Sequence, residues 1–374
     1  MRVLIVLDSL KRAGAERQAL YAVGEMTRQG RDVELIYYNL ATREYDVSLA
    51  APASVTRLPK NGEKLRFLWK LTRYLRAGRY DVVHAFMGAT SIYVGLAGWL
   101  AGTPVRLGGE RAEYSATGLV RLAHRIVNRL LTGWICNSEA IRRSLLPGVG
   151  ARPERVHVVY NGIDPRAFES RLTVAEAKER LRFEGDQPVI SLSGRLTYQK
   201  NIGLFLEAAS MVARLRPRAR FLVIGEGELE DALRRQAREL GLGEHVHFLG
   251  VRSDIPDLLR ATDVMTLTSH YEGVSNTLLE AMAVGIPVVS TAHAGVEELL
   301  TNEIDGLIVA MGDARALSDN YVRLIDDPEL RRRIGEAARD TVRRRFTIES
   351  LGENLYSVYE RVYRDTCRQP IAAS

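Results

Sequence analysis

The sequence predicts an α/β fold of two doubly wound, Rossmann-like parallel-sheet domains. Three observations predict it. Short β-branched apolar runs recur along the chain without the in-out alternation of a sheet that faces water. Helical periodicity separates most of them, which is the βαβ pattern. The pattern pauses at "VVYNGIDPRAFES" (158–170), rich in turn signals, and then restarts. A length of 374 residues suits two cores better than one.

The elements follow in order. "RVLIVLD" (2–8) reads as the first strand, and "GAERQALYAVGEMTRQG" as a helix closed by glycine. Further strands are expected at 32–38, 54–58, 81–86, 104–109 and 133–138. After a linker near 160–187 the second unit offers strands at 188–194, 220–227, 245–250, 263–269, 287–291 and 306–310. The expected division is 1–162 and 163–346, with a closing helix, about 347–374, returning to the first domain. Residues 85–105 carry no charge and nearly match a bilayer in length, but four glycines and a closing "GTP" favour a buried helix.

Composition sets the class. The chain is 46% hydrophobic and 26% charged, which excludes a disordered chain. A net charge of +6 fits an anionic small molecule, an acidic membrane surface or nucleic acid. "MRVLIVLDSLKR" does not read as a signal peptide, and the two cysteines form no metal-type pair, so a reducing, cytoplasmic setting is expected.

Ligands of doubly wound sheets sit beyond the carboxyl ends of the strands, so the chemistry is sought there. In "HYEGVSNTLLEAMAVGIPVVS" (270–290) a nearly all-apolar helix carries one acid, Glu280, behind an expected cap at Ser275. A buried carboxylate needs donors. A ribose diol would supply two; an arginine within the protein would serve as well. The helix start at Asn276, Thr277 and Leu278 is an anion site, and Glu272 lies beside flexible Gly273. "SGRLTYQKNI" places Arg195 and Lys200 after another strand, two cations suited to a diphosphate. Gly14 stands in the loop after the first strand, where backbone can approach a phosphate. His84 ends the strand "DVVHAF". No G-x-G-x-x-G fingerprint follows the first strand, which argues against a nicotinamide or flavin enzyme. His245 and His247 share a strand face without a third ligand, and no D-x-D announces a metal-bound diphosphate.

Taken jointly, "GAER" (14–17), "DVVH" (81–84), "NSEAI" (137–141), "VVYNGID" (158–164), "SGRLTYQKN" (193–201), "FLVIGEGEL" (221–229), "VHFLG" (246–250) and "EGVSNTLLEAMAVGIPVV" (272–289) resemble a retaining glycosyltransferase of family 4 with the GT-B fold. The resemblance spans nearly the whole chain. It implies a nucleotide-diphosphate sugar as donor, UDP- or GDP-linked, with no resident cofactor and no metal. Glu280 would hold the ribose. Glu272 would take hydroxyls of the donor sugar, helped by the backbone near Ser275 to Leu278. Arg195 and Lys200 would grip the diphosphate, the loop of Gly14 would close on it, and His84 would lie by the reacting sugar. The nucleobase would rest near Val251. The acceptor would be a glycan or lipid-linked glycan. Departures from the pattern, Ala13, Val274 and Ala294, bear on the identity of the donor sugar.

The acceptor side is read more openly. "KNGEKLRFLWKLTRYLRAGR" (60–79) is a basic helix that could lie on an anionic membrane. It also reads as a sheet-covering helix with Leu65, Leu68, Leu71 and Leu75 inside. "GERAEY" (109–114) could touch the acceptor. Two other classes are weighed: a sugar-nucleotide epimerase on the same scaffold, and a basic nucleic-acid-binding protein. The second leaves Glu280 unexplained, and nucleic acid is not an expected partner.

Overall fold

The computed structural model describes residues 1–42 and 44–368. The described chain divides into two compact units, 1–162 with 348–368, and 163–347.

The first unit begins with β1 (Arg2–Leu7), whose residues from Val3 to Leu7 are fully buried. α1 (Gly14–Arg28), β2 (Asp32–Tyr37), β3 (Ser54–Arg57), α2 (Lys64–Gly78), β4 (Val82–Ala85), α3 (Gly88–Ala101) and β5 (Val105–Glu110) follow. α4 (Gly118–Val127), β6 (Gly133–Cys136), α5 (Glu139–Val149) and β7 (Val156–Val158) complete the series. The strands form one sheet in the order β3-β2-β1-β4-β5-β6-β7, with every pairing parallel. Burial on both faces explains the unbroken apolar runs.

The second unit contains α6 (Val174–Arg180), β8 (Val189–Ser193), α7 (Ile202–Leu215), β9 (Arg220–Ile224), α8 (Glu230–Glu239) and β10 (Val246–Gly250). Then come α9 (Ile255–Ala261), β11 (Val264–Leu267), α10 (Asn276–Ala283), β12 (Val288–Thr291), α11 (Ala294–Glu297), β13 (Leu307–Val309), α12 (Ala314–Asp326) and α13 (Pro328–Arg345). Its sheet is also all parallel, in the order β10-β9-β8-β11-β12-β13. The chain enters and leaves this unit side by side, Ile163 N donating to Phe346 O at 2.8 Å. α14 (Ile348–Arg368) then packs on α1 in the first unit. Its Leu351, Leu355 and Tyr359 share a core with Leu20, Val23 and Val82.

The structure corrects two expectations. β7 is a strand the sequence did not announce, just before the pause at 158–170; three residues with a central histidine are too short to show a period. The inner stripe of α2 is Phe67, Leu71, Thr72 and Leu75, whereas Leu65 is 83% exposed. The apolar stretch 85–105 contains α3, with Trp99 and Leu100 exposed at its end. Among the described residues no helix is long and apolar enough to cross a membrane.

A buried ion pair ties α6 to the sheet. Lys178 Nζ donates to Asp263 Oδ2 and to Gln187 O, both at 2.8 Å, and the same carboxylate oxygen accepts from Val189 N. Removing one partner leaves the other buried and uncompensated. Lys178→Ala is therefore expected to cost roughly 3–5 kcal/mol of stability. Chemical denaturation checks this, and a cost under about 1 kcal/mol, the value of a surface pair, would contradict it.

Candidate functional site

In the second unit the loops after β8 and β9 interlock. Gly194 N donates to Ile224 O at 2.9 Å, and Leu196 N to Glu226 O at 3.0 Å. Arg195, between them, is exposed. The chain then makes a short 3-10 turn at Tyr198–Lys200, and Asn201 enters α7 from a left-handed backbone conformation. This turn is stitched to the segment after β11. Thr268 Oγ1 donates to Lys200 O, His270 N to Gln199 O and Gln199 Nε2 to Tyr271 O, each at 2.9 Å. Tyr198 stacks on His270 with ring centroids 4.7 Å apart.

The result is a fixed, nearly buried cation. Lys200 is 9% exposed and its ammonium pairs with the carboxylate of Glu272, which also accepts from Ser269 Oγ. Its stem crosses the face of Gly194, where a Cβ would stand 3.1 Å from Lys200 Cε. The sequence treats Lys200 and Glu272 as separate ligands of the donor; the structure joins them, 72 residues apart, into one ion pair. Lys200 closes the 3-10 turn just before α7.

Glu272 lies four residues upstream of α10. Ser275 occupies the expected cap position in extended backbone and is buried, but its side chain makes no cap hydrogen bond. The first N–H groups of a helix lack intrahelical acceptors, so this end carries positive character. Asn276 and Thr277 are half-buried and Leu278 is fully buried. Glu280 requires a correction. α10 is indeed inside, with Leu278, Leu279, Ala281, Met282 and Ala283 buried, but Glu280 itself is only half-buried. An apolar run nearly all round a helix hides which side its one acid faces. The carboxylate is thus not the desolvated charge that the sequence suggests. Val251, just past β10, is 53% exposed.

Sequence reasoning missed His293. It precedes α11, directly after β12, and is 7% exposed. Both ring nitrogens are buried without a hydrogen-bond partner among the described residues. Burial lowers its pKa; Glu272 pulls it back up and Lys200 pushes it down. Gly295 presses α11 onto the same segment, since a Cβ there would meet the carbonyl oxygens of Gly273 and Glu272 at 2.3 and 2.4 Å. The available signal was position alone, a histidine just past a buried strand.

Gly14 and His84 belong to the first unit. Gly14 is the first residue of α1 rather than part of the preceding loop, behind Ala13, whose side chain offers no cap. His84 lies within β4, not beyond it, and is 0% exposed. Its Nδ1 is 2.7 Å from the Tyr359 hydroxyl of α14, and Nε2 has no partner among the described residues. His245 Nδ1 faces Ala219 O at 3.2 Å and His247 packs on Phe183, which are structural roles. Among the described residues no group of three His, Cys, Asp or Glu is placed to hold a metal ion.

The histidines give a pH prediction. Burial holds His84 well below the usual imidazole range, and it lowers His124, His157, His247 and His293 as well. Each therefore binds a proton more readily in the unfolded chain. Their contribution to stability is complete above the unfolded value, near 6.5, and is lost as pH falls through that value toward the folded ones. Urea unfolding should show a midpoint falling between pH 7.5 and 5.5, with a shallower fall for His84→Gln. Equal slopes would contradict the account.

The comparisons with known proteins agree with this architecture. Residues 12–167 match the family described as Glycosyltransferase Family 4, and residues 174–341 that described as Glycosyl transferases group 1. The chain is 29% identical over 277 residues to the UDP-Gal:alpha-D-GlcNAc-diphosphoundecaprenol alpha-1,3-galactosyltransferase of Escherichia coli, covering 71% of this chain and 72% of that one. It is 31% identical over 217 residues to the lipopolysaccharide core biosynthesis mannosyltransferase LpsB of Rhizobium meliloti, covering 55% and 61%. The crystal structure of Anabaena HepE in complex with UDP-glucose superposes with a TM-score of 0.82, at 22% identity, over 96% of this chain and all of that one. This last likeness is one of fold.

Proposed function

Because the chain belongs to glycosyltransferase family 4, the glycosyl transferases group 1, we propose that it moves a sugar from a nucleotide-diphosphate sugar to a hydroxyl of a glycan or lipid-linked glycan, keeping the anomeric configuration. The observation that carries the reading is Lys200, a nearly buried cation held rigidly just past β8 and paired with the acid that precedes α10. The Escherichia coli relative is named for UDP-galactose and the Anabaena structure holds UDP-glucose, which supports a UDP-linked hexose here. The relative's diphosphoundecaprenol-linked acceptor supports a lipid-linked one.

The chemistry follows from charge. As the bond from the anomeric carbon to the diphosphate oxygen breaks, negative charge collects on the diphosphate and positive charge on the sugar. Lys200, Arg195 and the first turn of α10 meet the negative charge with donors already in place. Glu272 offers acceptor oxygens to sugar hydroxyls, and Glu280, half in water, accepts from the ribose diol. The acceptor hydroxyl attacks on the face that the diphosphate leaves, and its proton passes to a departing phosphate oxygen. Protein cations supply the neutralisation, so turnover is expected to persist in EDTA. A return of activity only on adding a divalent ion would contradict that step.

Incubation with a panel of nucleotide sugars, with and without glycan acceptors, tests the reaction. A glycosylated product and free nucleoside diphosphate are expected only when an acceptor is present. An isomerised nucleotide sugar formed without acceptor would overturn the reading in favour of an epimerase.

A further inference from the structure

The first unit holds a cation that its fold does not use. Arg111 opens the coil 111–117 between β5 and α4. Its guanidinium lies 4.0 Å from the ring centre of Phe86, just past β4. Nε, Nη1 and Nη2 are all out of solvent contact and have no hydrogen-bond acceptor among the described residues. The neighbouring acid does not serve it: Glu110 Oε1 accepts from the backbone N–H groups of Arg111 and Ala112 instead. The Cys136 thiol close by is pushed up to about 12 by burial and stays neutral. His84 packs on the same Phe86 ring, centroids 5.5 Å apart, and its Nε2 also has no partner among the described residues.

A guanidinium presents its donors in a planar fork that matches oxyanions. A ring face attracts the charge but accepts none of the N–H bonds. Two independent groups, from the ends of neighbouring strands, therefore share the same unmet need. We propose that Arg111, backed by His84 Nε2, binds an oxyanion carried by the acceptor, a phosphate or a carboxylate. The Tyr359 hydroxyl then donates to His84 Nδ1 at their 2.7 Å separation, leaving Nε2–H to the anion. Arg111 starts a coil, so its side chain can turn off Phe86 without unwinding a helix or strand. The assignment to the acceptor rests on the transferase reading above; the anion site itself does not.

The test uses the full chain in a Lys200→Ala background, which removes the nearly buried cation of the second unit. Inorganic phosphate and malonate are titrated separately by calorimetry. Saturable binding of at least one is expected, weakened at least tenfold by Arg111→Lys and abolished by Arg111→Met. Phosphate alone would point to a phosphorylated or lipid-diphosphate acceptor, and malonate alone to a carboxylate. Circular dichroism and cooperative thermal unfolding matching those of the unaltered protein report that the Arg111 variants remain folded. Should Arg111→Met fail to fold, tungstate soaked into crystals of the unaltered protein locates the ion by its anomalous signal. Binding unchanged in folded Arg111→Met, an anion located elsewhere, or no binding of either probe overturns the proposal. Anion binding at Arg111 without any sugar transfer would instead sink the transferase reading and leave the site standing.

Discussion

Replacing Lys200 by alanine is expected to lower kcat by about 10²–10³, with a smaller change in KM for the donor. The size follows from position. Lys200 is held at 9% exposure, where a charge acts with little screening, and its turn is bonded to the segment 268–271, so on the proposed reading it would meet the leaving diphosphate already oriented. Loss of one such preorganised donor typically costs about 3–4 kcal/mol of transition-state stabilisation. The substitution also leaves Glu272 without its cation, so stability must be measured beside rate. Glu272→Gln, which removes the same ion pair and keeps the lysine, calibrates the stability cost of the lost pair alone; its rate is not the comparison, because Glu272 is itself placed on the sugar hydroxyls. Turnover by folded Lys200→Ala within about threefold of the unaltered enzyme would remove Lys200 from the chemistry.

Gly225→Ala is expected to destabilise the second unit by roughly 2–6 kcal/mol. Two causes add. Gly225 has φ +133, a region that side chains rarely enter, and a Cβ would stand 2.0 Å from Gly194 O. That carbonyl belongs to the loop that Lys200 crosses, so the clash reaches the candidate site and activity should fall with stability. Gly241→Ala is the control. It too has positive φ, +73, but nothing lies within 4 Å of its would-be Cβ. Its cost should be about 1 kcal/mol. Equal melting temperatures for the two variants would show that the packing of the β8 and β9 loops is not what restricts Gly225.

Most of the strand ends were legible because parallel strands are written as unbroken apolar runs, and the residues just past such a run are fixed by it. Lys200, Arg195 and Glu272 were found in that way. Their partners were not, because pairing across 72 residues leaves no trace in local spacing. The facing of Glu280 was hidden for the opposite reason: α10 is apolar on nearly every side, so its periodicity carries no direction. Leu65 misled because a leucine at helical spacing near a helix start fits the stripe in pattern, while the helix packs through Phe67 and Leu71. His293 and Arg111 each sit one or two residues past a strand in segments without periodicity. The sequence pointed at 109–114 only as a segment; burial, and the lack of partners it exposes among the described residues, is what singles out Arg111 and His293.

The most direct measurement is a crystal structure of the protein grown with UDP. The account predicts the diphosphate within hydrogen-bond distance of Lys200 Nζ, Arg195 and the first turn of α10, with the ribose diol on Glu280. A nucleotide bound away from these groups, or a ribose that leaves Glu280 untouched, would contradict it.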